Sequence, residues 1–317
     1  MSAQGARQGK TGTETVELTE VPSLSKLYVA AAAEAARALV APRRTAPKLP
    51  AARHHAAVVR PDVARLTEYQ HLLGEPARDV VPAGYVHALA FPVAMSFMGR
   101  EDFPLPLLGM VHLRNRIEYR EPITYTDELD VTAWAENLAG HRAGTQVDVV
   151  AEVRRGGTDG GGGDPVWRGV STYLAKGVFL PGVDKPLANG AREDFRAPLP
   201  TALWRLGSET GREYAAVSGD FNPIHLSSIS ARALGMRRSI AHGMYTASRA
   251  LAEIGAAKGD AFVWDVSFEA PVFLPARVAL NISDSVDGEG SWERSDFVGW
   301  HAKSGRRHFV GSVARLA

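Results

Sequence analysis

The chain carries the same pattern twice, and a sequence that repeats a domain-sized pattern is constrained to fold as two packed copies of one unit. YQHLLG (69–74) lies over YAAVSG (214–219) at an offset of 145. Leu89-Ala90-Phe91 lies over Ile240-Ala241-His242 at 151, and IEYREPITYTDELDV lies over VSFEAPVFLPARVAL, with Pro122 on Pro271, at 149. Leu174-Ala175 and Leu316-Ala317 close the two copies at 142. On this alignment the second copy gains six residues after its Tyr/Gly element. The first is seven residues longer near its end, at GGTDGGGGDP (156–165). That run falls between two alternating segments and reads as an extended hairpin loop, a place where insertion is tolerated.

Each copy has a helix rich in Ala, Met and Leu followed by stretches of period two. Leu129, Val131 and Ala133 alternate with Asp130 and Thr132; Val147, Val149, Ala151 and Val153 alternate with Asp148, Glu152 and Arg154. In the second copy Val278, Leu280 and Ile282 alternate with Arg277, Asn281 and Ser283. Such runs predict antiparallel strands with one buried face. The layout is α+β: a curved antiparallel sheet around one apolar helix, made twice. At 317 residues the length fits two domains or one built twice, and the repeat favours the second. The expected divisions are an N-terminal extension (1–48), a first repeat (49–176), a Pro/Gly-rich linker (177–200) and a second repeat (201–317).

Lys+Arg is 36 against 35 Asp+Glu, a balance unlike that of a nucleic-acid binder. The absence of cysteine removes disulfides, thiolate nucleophiles and zinc–thiolate sites. The first twenty residues are polar, without the apolar stretch of an export signal. The alanine-rich run 28–42 is broken by Glu34 and Arg37, so it reads as a surface helix rather than a membrane span. A soluble, cytoplasmic protein is expected. His54-His55 has no third ligand at metal spacing and reads as a surface pair. Arg237, Arg238, Arg306 and Arg307 read individually as solvated charge.

The six-residue gain holds the densest set of reactive and turn-forming residues. In YAAVSGDFNPIH (214–225), Pro223 keeps Asn222 extended and Gly219 frees the backbone, which predicts a loop. Such a loop can aim Asp220, Asn222 and His225 at one point. A carboxylate and an imidazole sharing a small volume can activate water and move protons near neutral pH. Asn222 is placed to orient the loop or the water. Then Ser227 to Leu234 reads as a short helix, and Ile240-Ala241-His242-Gly243-Met244 opens a longer one ended by Gly255. The Gly243 amide, at a helix start, can hold a developing oxyanion. His242 reads first as a residue fixing that start, and with Ser218, Met244 and Ser248 it is a candidate for substrate binding.

The run SGDFNPIH followed by IAHGM resembles the signature of the MaoC-like, (R)-specific enoyl-CoA hydratases and 3-hydroxyacyl-thioester dehydratases. That resemblance is specific within 214–244 and looser elsewhere. It implies a double hot-dog fold, each repeat wrapping a sheet around a central helix. It implies Asp220 and His225 as the catalytic pair, Asn222 with them, and the Gly243 amide as oxyanion donor. The implied substrate is an acyl-CoA or acyl carrier protein thioester, with no metal or redox cofactor. The first copy departs from the pattern: Glu75 stands for Asp220, Val80 for His225 and Pro92, which lacks an N–H, for Gly243. It is therefore expected to complete the sheet and shape an acyl pocket without catalysing. A hot-dog thioesterase and a non-catalytic acyl-binding subunit are the alternative readings. Two repeats in one chain already make the pair that single hot-dogs form by dimerising, so a monomer and a homodimer are both compatible.

Overall fold

A computed structural model of the chain describes residues 14–40, 47–156, 163–184 and 194–316. Most of the polar N-terminus, the Pro42 end of the alanine-rich run, the hairpin tip, the middle of the linker and Ala317 lie outside these residues. Before the first copy come β1 (Glu14–Leu18) and α1 (Leu24–Val40). The first copy runs β2 (Ala52–Val59), α2 (Val63–Leu73), α3 (Ala83–Met98), β3 (Met110–Tyr119), β4 (Leu129–His141), β5 (Gly144–Arg155) and β6 (Trp167–Lys176). The second runs β7 (Ala202–Leu206), α4 (Thr210–Ser218), α5 (Pro223–Leu226), α6 (Ser228–Ala233), α7 (Gly243–Ile254), β8 (Phe262–Phe268), β9 (Ala276–Val286), β10 (Trp292–His301) and β11 (Arg307–Arg315).

All the strands join one sheet in the order β1-β2-β4-β5-β6-β3-β8-β11-β10-β9-β7. Antiparallel β3 and β8 form the seam, with Tyr119 opposite Phe262. Read outward from that seam, the order is β3-β6-β5-β4-β2 on one side and β8-β11-β10-β9-β7 on the other, the same path twice. This is the double hot-dog. The alternating faces behave as their period requires: Leu129, Val131, Ala133, Val147 and Val153 are buried, as are Val278 and Leu280. α3 is apolar nearly all round, as a helix enclosed by its sheet must be, with Val86, Val93 and Phe97 fully buried. α7 keeps one polar edge and buries Ala247, Ala250 and Leu251. Burying a side chain of Val or Phe size contributes about 1.5–3 kcal/mol. The continuous core shared by the two copies therefore outweighs any surface ion pair in holding them together.

Three of the four repeat offsets hold in space. Gly74 and Gly219 both end a helix in the left-handed region, at φ 75° and 80°. Tyr119 pairs with Trp167 as Phe268 pairs with Phe309, which carries the 149 and 142 offsets. The 151 offset does not hold. The bridge Val80–Thr124 corresponds to Ile240–Phe273, so Pro82 and Ala83 match His242 and Gly243, whereas Pro92 lies inside α3. The second copy thus gains fifteen residues between its cap glycine and its core helix: the step is nine from Gly74 to Ala83 and twenty-four from Gly219 to Gly243. His225 then has no counterpart in the first copy, rather than being replaced by Val80. The misalignment has a physical origin. α3 starts after Pro82 with no capping side chain, so the usual polar start signal is missing, and a proline at its middle suggests a boundary that is not there.

Two further expectations change. Residues 214–225 are not one loop, because Thr210–Ser218 is helical and Pro223 opens the one-turn α5 at a position where proline is favoured. The His54-His55 pair alternates across β2: His54 is buried, with Nδ1 2.9 Å from Ser96 Oγ, and His55 Nδ1 lies 2.6 Å from Glu17 Oε2. Among the described residues no helix is long and apolar enough to cross a membrane.

Candidate active site

The site is assembled by a relay of short-range hydrogen bonds that begins at the end of α4. Ser218 Oγ donates to the Tyr214 carbonyl at 2.7 Å and accepts from the Asp220 amide at 3.2 Å, so this hydroxyl closes the turn instead of lining a pocket. Asp220 Oδ1 accepts the Asn222 amide at 3.2 Å, and Asn222 Oδ1 accepts the Ile224 amide at 3.3 Å, capping α5. Pro223 pre-sets the helical turn, which delivers His225 inward. The turn fits only because Gly211 faces it: a Cβ on Gly211 would lie 2.1 Å from the His225 carbonyl oxygen.

His225 Nδ1 is 2.8 Å from the Ile240 carbonyl, an acceptor only, so Nδ1 carries the proton and Nε2 keeps its lone pair. The His225 and His242 rings stack with centroids 3.6 Å apart. His242 Nε2 donates to the Asp220 carbonyl at 2.9 Å and lies 3.7 Å from Asp220 Oδ2. Both imidazoles are buried, and Asp220, His225 and His242 each bring a donor atom within 4.8 Å of the others. His242 Nδ1 has no protein partner, while His225 Nδ1, His242 Nε2 and Asp220 Oδ1 serve hydrogen bonds within the protein.

Burial lowers the His225 pKa to about 3, and the neighbouring His242 works in the same direction. His242 is lowered chiefly by burial, against the pull of Asp220. For Asp220 burial acts upward, but His242, His225, the Tyr28 hydroxyl and the Asn222 amide outweigh it and hold the carboxyl below its usual range. The result is a carboxyl group whose charged form is favoured, beside two imidazoles whose charged form burial disfavours. This is the electrostatic arrangement of a proton-transfer site.

α7 ends at this cluster. Its N-cap, His242, makes no side-chain cap bond, so the first-turn amides from Gly243 onward lie open at the positive end of the helix. A Cβ on Gly243 would come within 3.0 Å of the Phe268 ring, so glycine keeps this corner clear. Met244, next along, is buried in the core. Ser248 faces α3 instead, where a Cβ on Gly84 would lie 2.2 Å from its Oγ. The structure therefore brings together Asp220, Asn222, His225, His242 and Gly243, with Ser218 closing the turn at Asp220 and Ser248 turned toward Gly84 of α3.

The first copy builds the surroundings. Arg65 Nη2 donates to the Val217 carbonyl at 3.1 Å, bracing the end of α4. His112 packs between Tyr173 and Phe268, with ring centroids at 4.7 and 5.1 Å, and Phe268 is the ring that faces Gly243. Between α3 and its sheet, His87, Phe91, Ala94, Trp167 and Tyr173 line a small cavity. Glu75 follows its cap glycine as Asp220 does. Burial raises its pKa, and the charges opposing that rise are Lys258 and Arg78, not imidazoles. Sequence reasoning missed His87, His112 and Tyr173, which arrive from separate elements, and Tyr28, which donates to Asp220 Oδ1 at 2.5 Å from α1.

Comparison with known proteins gives the family of the chain. The family described as MaoC like domain matches residues 187–296, which include all the residues of the cluster. The 3-hydroxyacyl-thioester dehydratase X of Mycobacterium tuberculosis is 38% identical over 233 residues, 73% of this chain and 79% of that protein. The crystal structure of that enzyme superposes with a TM-score of 0.70 at 33% identity, covering 83% of this chain and all of the other. A MaoC-like dehydratase from Phytophthora capsici shares the fold at a TM-score of 0.61 and 18% identity, over 84% of this chain and 95% of its own. The chain belongs to the MaoC-like dehydratase family of hydro-lyases.

Proposed function

We propose that this enzyme interconverts trans-2-enoyl thioesters and (R)-3-hydroxyacyl thioesters, carried on CoA or acyl carrier protein, in fatty-acid metabolism in the cytoplasm. The observation that carries the reading is the tautomer of His225. With Nδ1–H committed to the Ile240 carbonyl, Nε2 keeps its lone pair, in a ring that stacks on His242 and groups with Asp220. In the hydration direction a water held between Asp220 Oδ2 and His225 Nε2 loses a proton as its oxygen attacks C3. The electron pair moves through C2 to the thioester oxygen, and that proton or its equivalent is returned to C2 from the same pair. The oxygen gains charge in this step and is met by the Gly243 amide at the head of α7. Asn222 sets the carboxylate and His242 sets its backbone.

The test is an assay of the purified chain with enoyl-CoAs from C4 to C16, followed by loss of the enoyl absorbance, release of free thiol and chiral analysis of the product. Loss of absorbance without thiol, giving the (R)-alcohol, is expected. Thiol release in step with turnover would make the enzyme a thioesterase, and no turnover on any chain length would leave an acyl-binding subunit.

A further inference from the structure

Tyr28 lies outside both copies of the repeat, 192 residues from Asp220, yet its hydroxyl donates a 2.5 Å hydrogen bond to Asp220 Oδ1. We infer that α1 supplies a positioning residue to the active site: Tyr28 pins Oδ1 of Asp220, so that Oδ2 is the oxygen left to face the imidazoles and the reacting water. The inference rests on the reading of Asp220 given above.

The placement of α1 is built into its sequence. Leu24, Leu27, Tyr28 and Ala31 fall at the i, i+3, i+4, i+7 spacing of a single inward stripe, with Leu24 and Ala31 buried and Leu27 and Tyr28 packed on the core between them. Leu24 sits against the turn that presents Asp220: a Cβ on Gly219 would lie 3.5 Å from Leu24 Cδ1. Ahead of the helix, β1 is paired with β2 from Glu14–Ala52 to Leu18–Ala56, which anchors the entry to α1. One end of the segment is therefore tied to the sheet and its inner stripe to the residue before the carboxylate. Tyr28 is presented at Asp220 by both.

A carboxylate has two oxygens, and which one is free decides where a water can be held. Oδ1 accepts from Tyr28 and from the Asn222 amide, whereas Oδ2 is turned to His242 at 3.7 Å. Burial raises the pKa of the Tyr28 phenol, and the negative Asp220 raises it further, so the group remains a donor. A donor to the charged form of an acid favours that form. The titratable groups facing Asp220 are Tyr28 from α1, Tyr214 from α4, His225 from α5 and His242 at the head of α7. Farther out stand His87 from α3, His112 from β3 and Tyr173 from β6. Of these, Tyr28 is the hydroxyl hydrogen-bonded to the carboxylate, so its removal should be read in the titration of Asp220.

The experiment is the pH profile of enoyl-CoA hydration by Tyr28→Phe, with Asp220→Asn measured alongside. Phenylalanine keeps the packing of the stripe, so an unchanged thermal midpoint is expected. The expected kinetic result is a fall in kcat of about tenfold with KM nearly unchanged, the order of effect a charge-assisted hydrogen bond can exert. The acidic limb of kcat/KM should move up by about one pH unit, because Asp220 then protonates more readily. A wild-type kcat with an unmoved acidic limb would overturn the inference. So would a rise in kcat/KM, which would make Tyr28 an obstruction to substrate. If Asp220→Asn itself retains activity, it is the reading of the site that fails, a distinct outcome.

Discussion

Two loops in equivalent places distinguish the half of this molecule that holds the Asp220–His225–His242 cluster from the half that does not. In the first copy nine residues lead from the cap glycine Gly74 to the core helix at Ala83. In the second, twenty-four lead from Gly219 to Gly243 and fold into α5 and α6 on the way. The sheet, the cap glycine, the uncapped helix start and the bridge beside it are common to both. What differs is whether the chain has enough length to bring an imidazole back over the carboxylate that follows the glycine. Glu75 has a buried carboxyl with Lys258 and Arg78 for company; Asp220 has His225 and His242. The same scaffold thus sets a carboxyl near two cationic side chains on one side and a carboxyl among imidazoles on the other.

Removing the imidazole should erase most of the difference. His225→Ala is expected to lower kcat by at least ~10²-fold, within the ~10²–10⁴ that general acid–base groups contribute, with the fold intact by circular dichroism. A variant with kcat near wild type would show that the insertion does not carry the chemistry.

A smaller effect tests how the insertion is seated. Gly211→Ala would force a Cβ to 2.1 Å from the His225 carbonyl, so α5 must shift. The expected loss is about 1–3 kcal/mol of stability by overpacking, with kcat falling about tenfold as His225 is displaced. Unchanged kinetics and melting would mean that α5 is not held where it is described.

The last effect is on stability against pH. Burial lowers His87 to about 4 and both His112 and His225 to about 3, from an ordinary 6.5. Above pH 6.5 these groups are neutral in folded and unfolded chains alike and contribute nothing. Below it the unfolded chain binds their protons first, so stability is lost progressively between about 6.5 and 3. Thermal midpoints should fall across that window, and His225→Gln should fall less steeply than wild type. A flat profile would place these rings in contact with solvent.

Much of the comparison was legible in the sequence. The cap glycines, the strand alternation and the 145, 149 and 142 offsets are local signals set by backbone conformation and period, and they carry over into the fold. Asp220, Asn222, His225 and Gly243 were legible because turn chemistry places them within one short stretch. The start of α3 was not, since an apolar, uncapped helix with an internal Pro92 offers no polar marker at either place. Tyr28, His87, His112 and Tyr173 reach the site through tertiary packing, and nothing near them in sequence refers to Asp220. The alanine-rich run of α1 was visible as a surface helix, but the stripe that it turns inward and what that stripe covers were not.

The central claim is that the carboxylate after the second cap glycine works while the one after the first does not. Parallel measurement of kcat for Asp220→Asn and Glu75→Gln on crotonyl-CoA addresses it directly. Loss of at least ~10²-fold in the first variant, with the second within about twofold of wild type, is the predicted result. Near-normal turnover by Asp220→Asn, or comparable losses in both, would contradict it.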